Sequence, residues 1–240
     1  MQEIYETSIK IVPSLSDAQG LLSIPDSFAL FMDIASTHAE LLGFGYDAMQ
    51  ERGLFWLTVK TRLIFNQRPQ MGEIVTLRTW PEIPGKLRCN RSYEMLLDGK
   101  VMICGKTEWA IMNFRENRLA PAEEGYPKEF AFPKRTACDE AFSRIPDSFD
   151  GIQPFADYTV RSTDIDVGQH MNNVAYVRTL AGSFSNDEWR GLAAKKVEVQ
   201  FRSPCYEGEQ LCLQRKTTPE GLDVRISRKG DTVLLARIER

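Results

Sequence analysis

One segment of the chain has a strong helical pattern of apolar residues. Phe28, Met32, Ala35, Ala39 and Leu42 follow one another at spacings of four, three, four and three residues. Residues with this spacing lie on one side of an α-helix, which has about 3.6 residues per turn. The pattern predicts a long helix with a single apolar face.

Signals for the start and the end of a helix flank this pattern. Ser23 is a typical N-cap residue, and the ring of Pro25 fixes a backbone angle that suits the first helical turn. Gly43 and Gly45 follow the last apolar position, and glycine commonly ends helices. The helix is therefore expected between Ser23 and Gly43.

Strand signals precede and follow this helix. Asp98-Gly99 is a strong signal for a tight hairpin between the last two predicted strands of this part of the chain. One helix accompanied by several antiparallel strands is an α+β pattern, not an alternating β-α-β pattern. The predicted strands are Ile4–Val12, Phe55–Phe65, Ile74–Trp80, Arg88–Leu97 and Val101–Phe114.

Residues 116–155 lack any sustained periodicity, and the first pattern then recurs in shortened form. Phe65 and Phe201 both stand seven residues before a Gly-Glu pair. We therefore expect one helix-plus-sheet unit used twice, at residues 1–115 and 156–240, with a linker at 116–155. The elements predicted for the second unit are a helix at Asn172–Ser183 and strands at Tyr158–Thr163, Val197–Arg202, Gln210–Lys216, Asp223–Ser227 and Thr232–Ile238.

Composition narrows the class of protein. The formal net charge of −3, with acids and bases interspersed, gives no basic surface for nucleic acid. No stretch approaches the ~20 apolar residues that span a bilayer. The N-terminus lacks the basic and then apolar segments of a signal peptide. The five cysteines have no zinc-site spacing, so we expect reduced thiols, no metal and a cytoplasmic protein.

The segment Ser162–Tyr176, STDIDVGQHMNNVAY, is the richest in candidate chemistry. Asp166 and His170 lie in the loop before the second helix, whose N-terminus Asn172 or Asn173 can cap. Backbone amides at a helix N-terminus can stabilise the oxyanion of a thioester, while a carboxylate activates water or attacks, and an imidazole shuttles the proton. Capping and loop residues of these types are also common as purely structural groups, so residue chemistry alone leaves both interpretations open.

The run DVGQHMNNVAY, from Asp166 to Tyr176, resembles the acyl-ACP thioesterase family of plants and bacteria, whose motif is D-x-N-x-H-x-N-N. The resemblance continues in the first half of the chain, through ASTHAELLGFGYDAM, GLFWLTVKTRLIFNQRPQMGEIVTLRTW and TEWAIMNF. It implies a tandem hotdog fold, in which each unit is an antiparallel sheet wrapped around a long helix. It also implies cleavage of acyl chains from acyl carrier protein without a cofactor.

The resemblance implies roles for single residues. Asp166 matches the family's catalytic Asp and is expected to activate water, and His170 matches its catalytic His. His170 and the amides at the start of the second helix are expected to hold the oxyanion. Gly168, Asn172 and Asn173 are expected to line the substrate site, and the first unit is expected to house the acyl chain.

Two positions depart from the family's pattern. The family's Asn between the catalytic residues falls on Gly168 here, and its Glu in the next strand falls on Pro204. Glu207 could replace that carboxylate, or Cys205 could pair with His170 as a nucleophile. Three functions are therefore kept: hydrolysis of acyl-ACP with release of fatty acid, hydrolysis of acyl-CoA, and binding of acyl thioesters or fatty acids without hydrolysis. The oligomeric state, monomer or homodimer, is left open.

Overall fold

The computed structural model describes residues 3–240, which divide into two compact units. The first unit ends at Glu140 and the second begins at Ala141. This division falls inside the segment 116–155 that the sequence predicts as a linker.

The first unit contains one long helix and a set of long strands, as the sequence predicts. The short α2 and β6 were not predicted, because six and three residues are too few to show a period. The helices are α1 (Ile24–Leu41) and α2 (Tyr46–Glu51), with short 3₁₀ helices η1 (Pro13–Leu15) and η2 (Ala122–Glu124). The strands are β1 (Tyr5–Lys10), β2 (Leu54–Phe65), β3 (Ile74–Pro81), β4 (Cys89–Leu97), β5 (Lys100–Asn113) and β6 (Arg118–Ala120).

The ends of α1 lie where the sequence signals place them. Ser23 is the N-cap, and its hydroxyl accepts a hydrogen bond from the Asp26 amide at 3.0 Å. Pro25 lies in the first turn, as predicted. After Leu41 the chain turns through Gly43 at a φ of +75°, a conformation that glycine adopts without strain.

The buried face of α1 is rotated from the predicted one. Phe28 is buried as expected, but Phe31 and His38 lie at the centre of the face, with 0% and 1% of their surface exposed. Met32 is only half-buried. The Phe31 ring packs against Tyr93 of β4, with 5.1 Å between ring centroids. The helix therefore carries an imidazole into the core of the unit together with its apolar residues.

The sheet of the first unit is antiparallel and has the strand order β1-β3-β4-β5-β2, with β6 paired to β5. The predicted hairpin at Asp98-Gly99 joins β4 to β5. Its two residues have φ values of +49° and +78°, which are the positive angles that a two-residue hairpin turn requires.

The second unit repeats this arrangement with shorter helices. Its strands follow the order β7-β9-β10-β11-β8, which is the order of the first unit when β7 corresponds to β1. The helix-plus-sheet unit is therefore used twice, and the α+β class is confirmed. The helices are α3 (Asn173–Gly182) and α4 (Asn186–Gly191), with η3 (Ser162–Asp164); the strands are β7 (Ala156–Thr159), β8 (Lys196–Phe201), β9 (Gln210–Thr217), β10 (Gly221–Arg228) and β11 (Asp231–Glu239).

The strand predicted at Tyr158–Thr163 is wrong in its second half. The strand ends at Thr159, and η3 begins at Ser162. The Asp164 carboxylate explains the turn, because it accepts hydrogen bonds from the Arg161 amide and the Tyr158 hydroxyl, both at 2.8 Å. A local side-chain to backbone bond has replaced a ladder bond here.

The segment 116–155, predicted as a linker, contains the short β6 and η2, and both of its halves are hydrogen-bonded to a sheet. In the first unit, the Trp80 indole nitrogen donates to the Arg135 carbonyl at 2.9 Å. In the second unit, the Gln200 amide donates to the Ser143 carbonyl at 2.7 Å. Each half of the segment is thus tied to the sheet of its own unit.

Candidate functional site

The loop between η3 and α3 is closed by its own backbone. The Asp166 amide donates to the His170 carbonyl at 3.1 Å, and Ile165 and Met171 form an isolated antiparallel bridge. Gln169, at the tip, has a φ of +60°. These bonds make a tight turn that brings the side chains of Asp166 and His170 to the same end of the loop.

Asp166 has both of its carboxylate oxygens held. Oδ1 accepts from the Gly168 amide at 2.8 Å, and Oδ2 accepts from the Asn172 side-chain amide at 3.2 Å. Its side chain is 27% exposed. An ionised carboxylate has about four lone-pair positions, so two donors leave it with the capacity to accept further protons or hydrogen bonds.

His170 lies beside this carboxylate. Its Nδ1 is 4.0 Å from Asp166 Oδ1 and 3.3 Å from the Met171 carbonyl, and its side chain is also 27% exposed. A carbonyl can only accept, so Nδ1 carries the proton in the bond to Met171. In the neutral ring Nε2 is then a proton acceptor, and in the protonated ring it is a donor.

Asn172 connects the carboxylate to the start of α3. It is the N-cap residue, and its Oδ1 accepts from the Val174 amide at 2.8 Å. Its Nδ2 is the group that donates to Asp166. Asn173 is the first residue of the helix and is half-buried. Of the two capping candidates that the sequence offers, Asn172 is therefore the cap.

Gly168 lies between the two ionisable side chains. A Cβ atom at this position would lie 3.0 Å from both Asp166 Oδ1 and His170 Nε2. This separation is tight for carbon, so a side chain here would need the imidazole to move slightly. Gly168 therefore supplies only its backbone, and its amide fixes Asp166 as described.

The turn before β9 supports the loop from the other side. The Cys205 carbonyl accepts from the Met171 amide at 2.8 Å, and the Pro204 carbonyl accepts from the Arg228 guanidinium at 2.9 Å. Cys205 is fully buried, and burial raises the pKa of its thiol. A thiol that resists ionisation is a poor nucleophile, which argues against a Cys205–His170 pair. Glu207 is exposed at the tip of the turn.

The first unit contains a loop of the same geometry. It runs from η1 to α1, and Asp17 has the position of Asp166. In both loops the aspartate Oδ1 accepts from the amide two residues later, at 2.9 Å in the first unit and 2.8 Å in the second. In both loops the aspartate amide donates to the carbonyl four residues later, which belongs to Leu21 in the first unit and to His170 in the second.

The structure brings together Asp166, Gly168, His170 and Asn172 of the sequence-predicted residues. The structure also shows a hydrogen bond that supports the site and that the sequence does not predict. The carbonyl of Asp164 accepts from the Asn172 amide at 2.8 Å, and this bond fixes the N-cap. The only signal in the sequence for this role of Asp164 is its position shortly before a capped helix.

The described part of the chain has neither a metal-ligand cluster nor a membrane-spanning helix. No group of three or more His, Cys, Asp and Glu side chains within residues 3–240 is arranged to hold a metal ion. None of the helices within the same residues has both the length and the apolar character needed to cross a membrane. All five cysteines are free.

Two family models match the chain, one in each unit. The model described as the acyl-ACP thioesterase N-terminal domain matches residues 2–130. The model described as the acyl-ACP thioesterase C-terminal domain matches residues 151–239.

The curated relatives are named as acyl carrier protein thioesterases and have low sequence identity to this chain. Oleoyl-acyl carrier protein thioesterase 1, chloroplastic, of Arabidopsis thaliana is 22% identical over 80% of this chain and 58% of its own length. Palmitoyl-acyl carrier protein thioesterase, chloroplastic, of the same organism is 26% identical over 80% of this chain and 49% of its own length. The chain thus spans about half the length of the curated relatives it matches.

Solved structures share the fold over nearly the whole chain. An acyl-ACP thioesterase from Bacteroides thetaiotaomicron has a TM-score of 0.90 at 21% identity, covering 99% of this chain and 97% of that one. The 12:0-ACP thioesterase from Umbellularia californica has a TM-score of 0.84 at 21% identity, covering 100% of this chain and 97% of that one. These likenesses confirm the tandem hotdog fold.

Proposed function

The chain belongs to the acyl-ACP thioesterase family, and on that premise we propose that it hydrolyses acyl–acyl carrier protein thioesters and releases the free fatty acid. The observation that carries the proposal is the placement of Asp166 and His170 together at the start of α3. Acyl carrier protein, with its acyl-phosphopantetheine group, is the proposed partner. The cytoplasmic location stays a prediction from the sequence.

Asp166 is the proposed general base. Its carboxylate is oriented by the Gly168 amide and the Asn172 side chain, and it keeps lone pairs for a water molecule. Asp166 takes one proton from that water as the oxygen forms a bond to the thioester carbonyl carbon. A base held in one orientation needs no rearrangement before reaction, which is how positioning contributes to rate.

His170 is the proposed partner in proton transfer. The bond from Nδ1 to the Met171 carbonyl fixes the orientation of the ring, and Nε2 is the proposed proton-transfer atom. A protonated Nε2 can donate to the oxyanion or to the departing sulfur. When the carbon–sulfur bond breaks, the proton taken from water goes to the thiolate, so water and thioester give a carboxylic acid and a thiol.

The N-terminus of α3 is the proposed electrostatic support for the oxyanion. Backbone amides at a helix start carry partial positive charge, which favours a negative oxygen nearby. Asn172 occupies one of these amides, that of Val174, through its own side chain. Gly168, Asn172 and Asn173 are proposed to line the substrate site, and the first unit is proposed to house the acyl chain.

The test is thiol release from a series of acyl-ACPs of increasing chain length, with wild type beside His170→Leu. Leucine is the residue that the first unit has at the corresponding position, Leu21, so the loop geometry tolerates it. We expect hydrolysis by wild type, with a maximum at one chain length, and a loss of about 100-fold or more in His170→Leu. Equal rates for the two proteins, with equal melting temperatures, would remove His170 from the mechanism.

A second candidate is binding of acyl thioesters without hydrolysis. It is favoured by Gly168 and Pro204, which place no hydrogen-bonding side chain where the family resemblance leads one to expect Asn and Glu. Tight binding of acyl-ACP by folded wild-type protein without thiol release would support it. Acyl-CoA substrates of matched chain length, run beside acyl-ACP, distinguish the third candidate, an acyl-CoA thioesterase.

A further inference from the structure

A group of polar side chains lies in the core of the first unit, on the face of the sheet that packs against α1. We call it the Arg91 cluster: His38, Thr79, Arg91, Tyr93 and Trp109. Arg91 and Tyr93 are two residues apart on β4 and so share a face. Thr79 is directly opposite Tyr93 in the sheet, and Trp109 is opposite Cys89, two residues before Arg91.

Arg91 is a buried cation with neutral partners. Only 5% of the residue is exposed. Its Nη1 donates to His38 Nδ1 at 3.1 Å and lies 3.3 Å from Thr79 Oγ1. Among residues 3–240, no carboxylate lies within ion-pair distance of it. A buried charge without a counter-ion is costly, and burial lowers the pKa of this guanidinium.

Two further polar atoms in the cluster have no partner. The Tyr93 hydroxyl is fully buried and makes no hydrogen bond of normal geometry within the described chain, although the Thr107 and Trp109 side chains lie close enough to lower its pKa. The Trp109 indole nitrogen, which can only donate, also makes none there. Arg91 and Trp109 are donors without any acceptor capacity, so the group that would satisfy this cluster is rich in acceptors.

The second unit shows that the fold does not require these residues. Thr79 stands seven residues after Gly72 and is opposite Tyr93. At the corresponding place in the second unit, the residue opposite is Val224, and two residues before it is Leu222. Apolar side chains therefore fill the positions of Tyr93 and Arg91 in a sheet of the same topology. The fold therefore does not require the buried charge of Arg91, which points to a role in binding.

The surroundings of the cluster are aromatic. The Trp109 ring packs edge-on against Trp56, with 6.3 Å between centroids. Trp56 in turn packs against Tyr126 at 5.5 Å and Phe44 at 6.3 Å. An anionic group bound by Arg91 would thus be continuous with an apolar surface, which suits a ligand with a charged head and an alkyl chain.

We propose that the Arg91 cluster binds the carboxylate of a fatty acid. Arg91 forms the ion pair, and the Tyr93 hydroxyl and the Trp109 indole donate to the carboxylate oxygens. A guanidinium binds a carboxylate through two parallel hydrogen bonds, which no neutral partner in the cluster can match. The site consists of residues that the hydrolytic mechanism does not use, and its occupancy is measured without any thioester.

The test is calorimetric titration of the whole chain with decanoate, 1-decanol, acetate and inorganic phosphate. We expect decanoate to bind about 10-fold or more tightly than decanol and than either small anion. Arg91→Met should weaken decanoate binding about 10- to 100-fold and leave decanol binding unchanged. Tyr93→Phe, which removes only the unpartnered hydroxyl, should weaken it about 2- to 10-fold.

The matched control is Arg225→Met in the second unit, because it removes the same charge from a partly buried arginine that, unlike Arg91, has a carboxylate beside it, Asp147 at 4.0 Å. This variant should bind decanoate like wild type.

Arg91→Met should melt no lower than wild type, since a buried cation without a counter-ion does not stabilise the empty protein. Equal decanoate affinity in wild type and Arg91→Met would overturn the proposal. So would equal affinity of wild type for decanoate and decanol, or for decanoate and phosphate. Thioester hydrolysis is measured separately, so either proposal can fail alone.

Discussion

The loops before α1 and α3 share their backbone bonds but differ in what faces the aspartate. Arg68 donates to Asp17 Oδ2 and forms an ion pair with it. The corresponding residue of the second unit is Pro204, since Arg68 and Pro204 each stand four residues before the glycine of a Gly-Glu pair. Asp166 Oδ2 instead accepts from the neutral amide of Asn172. Asp17 is therefore paired with a guanidinium, whereas Asp166 accepts from an amide and lies 4.0 Å from the His170 imidazole.

This difference distinguishes the structural role of the aspartate, which closes the turn, from its proposed catalytic role. The aspartate closes the turn in both units, so its presence alone says nothing about catalysis. What is particular to the second unit is an imidazole in place of Leu21 and, within residues 3–240, no guanidinium in an ion pair with the carboxylate. In the first unit the Arg68 guanidinium occupies Asp17 Oδ2, whereas in the second unit no such group competes with a water molecule for Asp166.

The largest expected effect comes from removing each aspartate in turn. Asp166→Asn should lower kcat for thiol release by about 10²- to 10⁴-fold, the usual contribution of a general base. Asp17→Asn removes the equivalent charge from the same turn and should leave kcat within a few-fold of wild type. Stopped assays on acyl-ACP and melting curves for both variants are the measurements. Equal losses in the two variants would mean that the turn, not the base, controls the rate.

An intermediate effect is expected from copying the first unit's ion pair into the second. In Pro204→Arg the new guanidinium should pair with Asp166, as Arg68 does with Asp17, and lower kcat about 10-fold or more. Pro204→Ala is the control, because it removes the ring without adding charge. The inhibition should weaken as salt is raised, since the pair is partly exposed. An active Pro204→Arg enzyme with no salt dependence would contradict the idea that position 204 faces Asp166.

The smallest expected effect is on the pH dependence of stability. It arises from a difference between the two cores, in which Tyr93 of the first unit corresponds to Val224 of the second. Burial raises the pKa of Tyr93 to about 12, from an ordinary value of 10.0. The folded state therefore holds the phenol proton between these pH values while the unfolded state loses it. The free energy of unfolding should be unaffected by this group below pH 10 and should fall by on the order of 1 kcal/mol per pH unit up to about 12.

Denaturant unfolding at pH 8 and pH 11, with wild type beside Tyr93→Phe, measures this contribution. The wild type should lose more stability over that interval than the variant, which has no phenol to ionise. Parallel losses would show that Tyr93 ionises in the folded protein as readily as in water.

The sequence predicts most of the regular structure because the apolar periods are long and clearly bounded. It also places Asp166, His170 and Asn172 together, because all three belong to one short run before a helix. It does not predict the Arg68–Asp17 pair, whose members are 51 residues apart and lie in two loops that meet only in the folded chain. The Arg91 cluster is not predicted for the same reason, since α1, β3, β4 and β5 each supply part of it. Contacts of this kind depend on how strands and loops distant in the sequence are brought together, which the apolar pattern does not encode.

The double role of Asn172 affects the thermal stability of the site. One amide group both caps α3 and holds the carboxylate of Asp166, so the first helical turn and the base cannot move independently. Fraying of the end of a helix requires far less free energy than global unfolding. Every fraying event at α3 would also release Asp166, so activity should decline at temperatures where the rest of the fold is still intact.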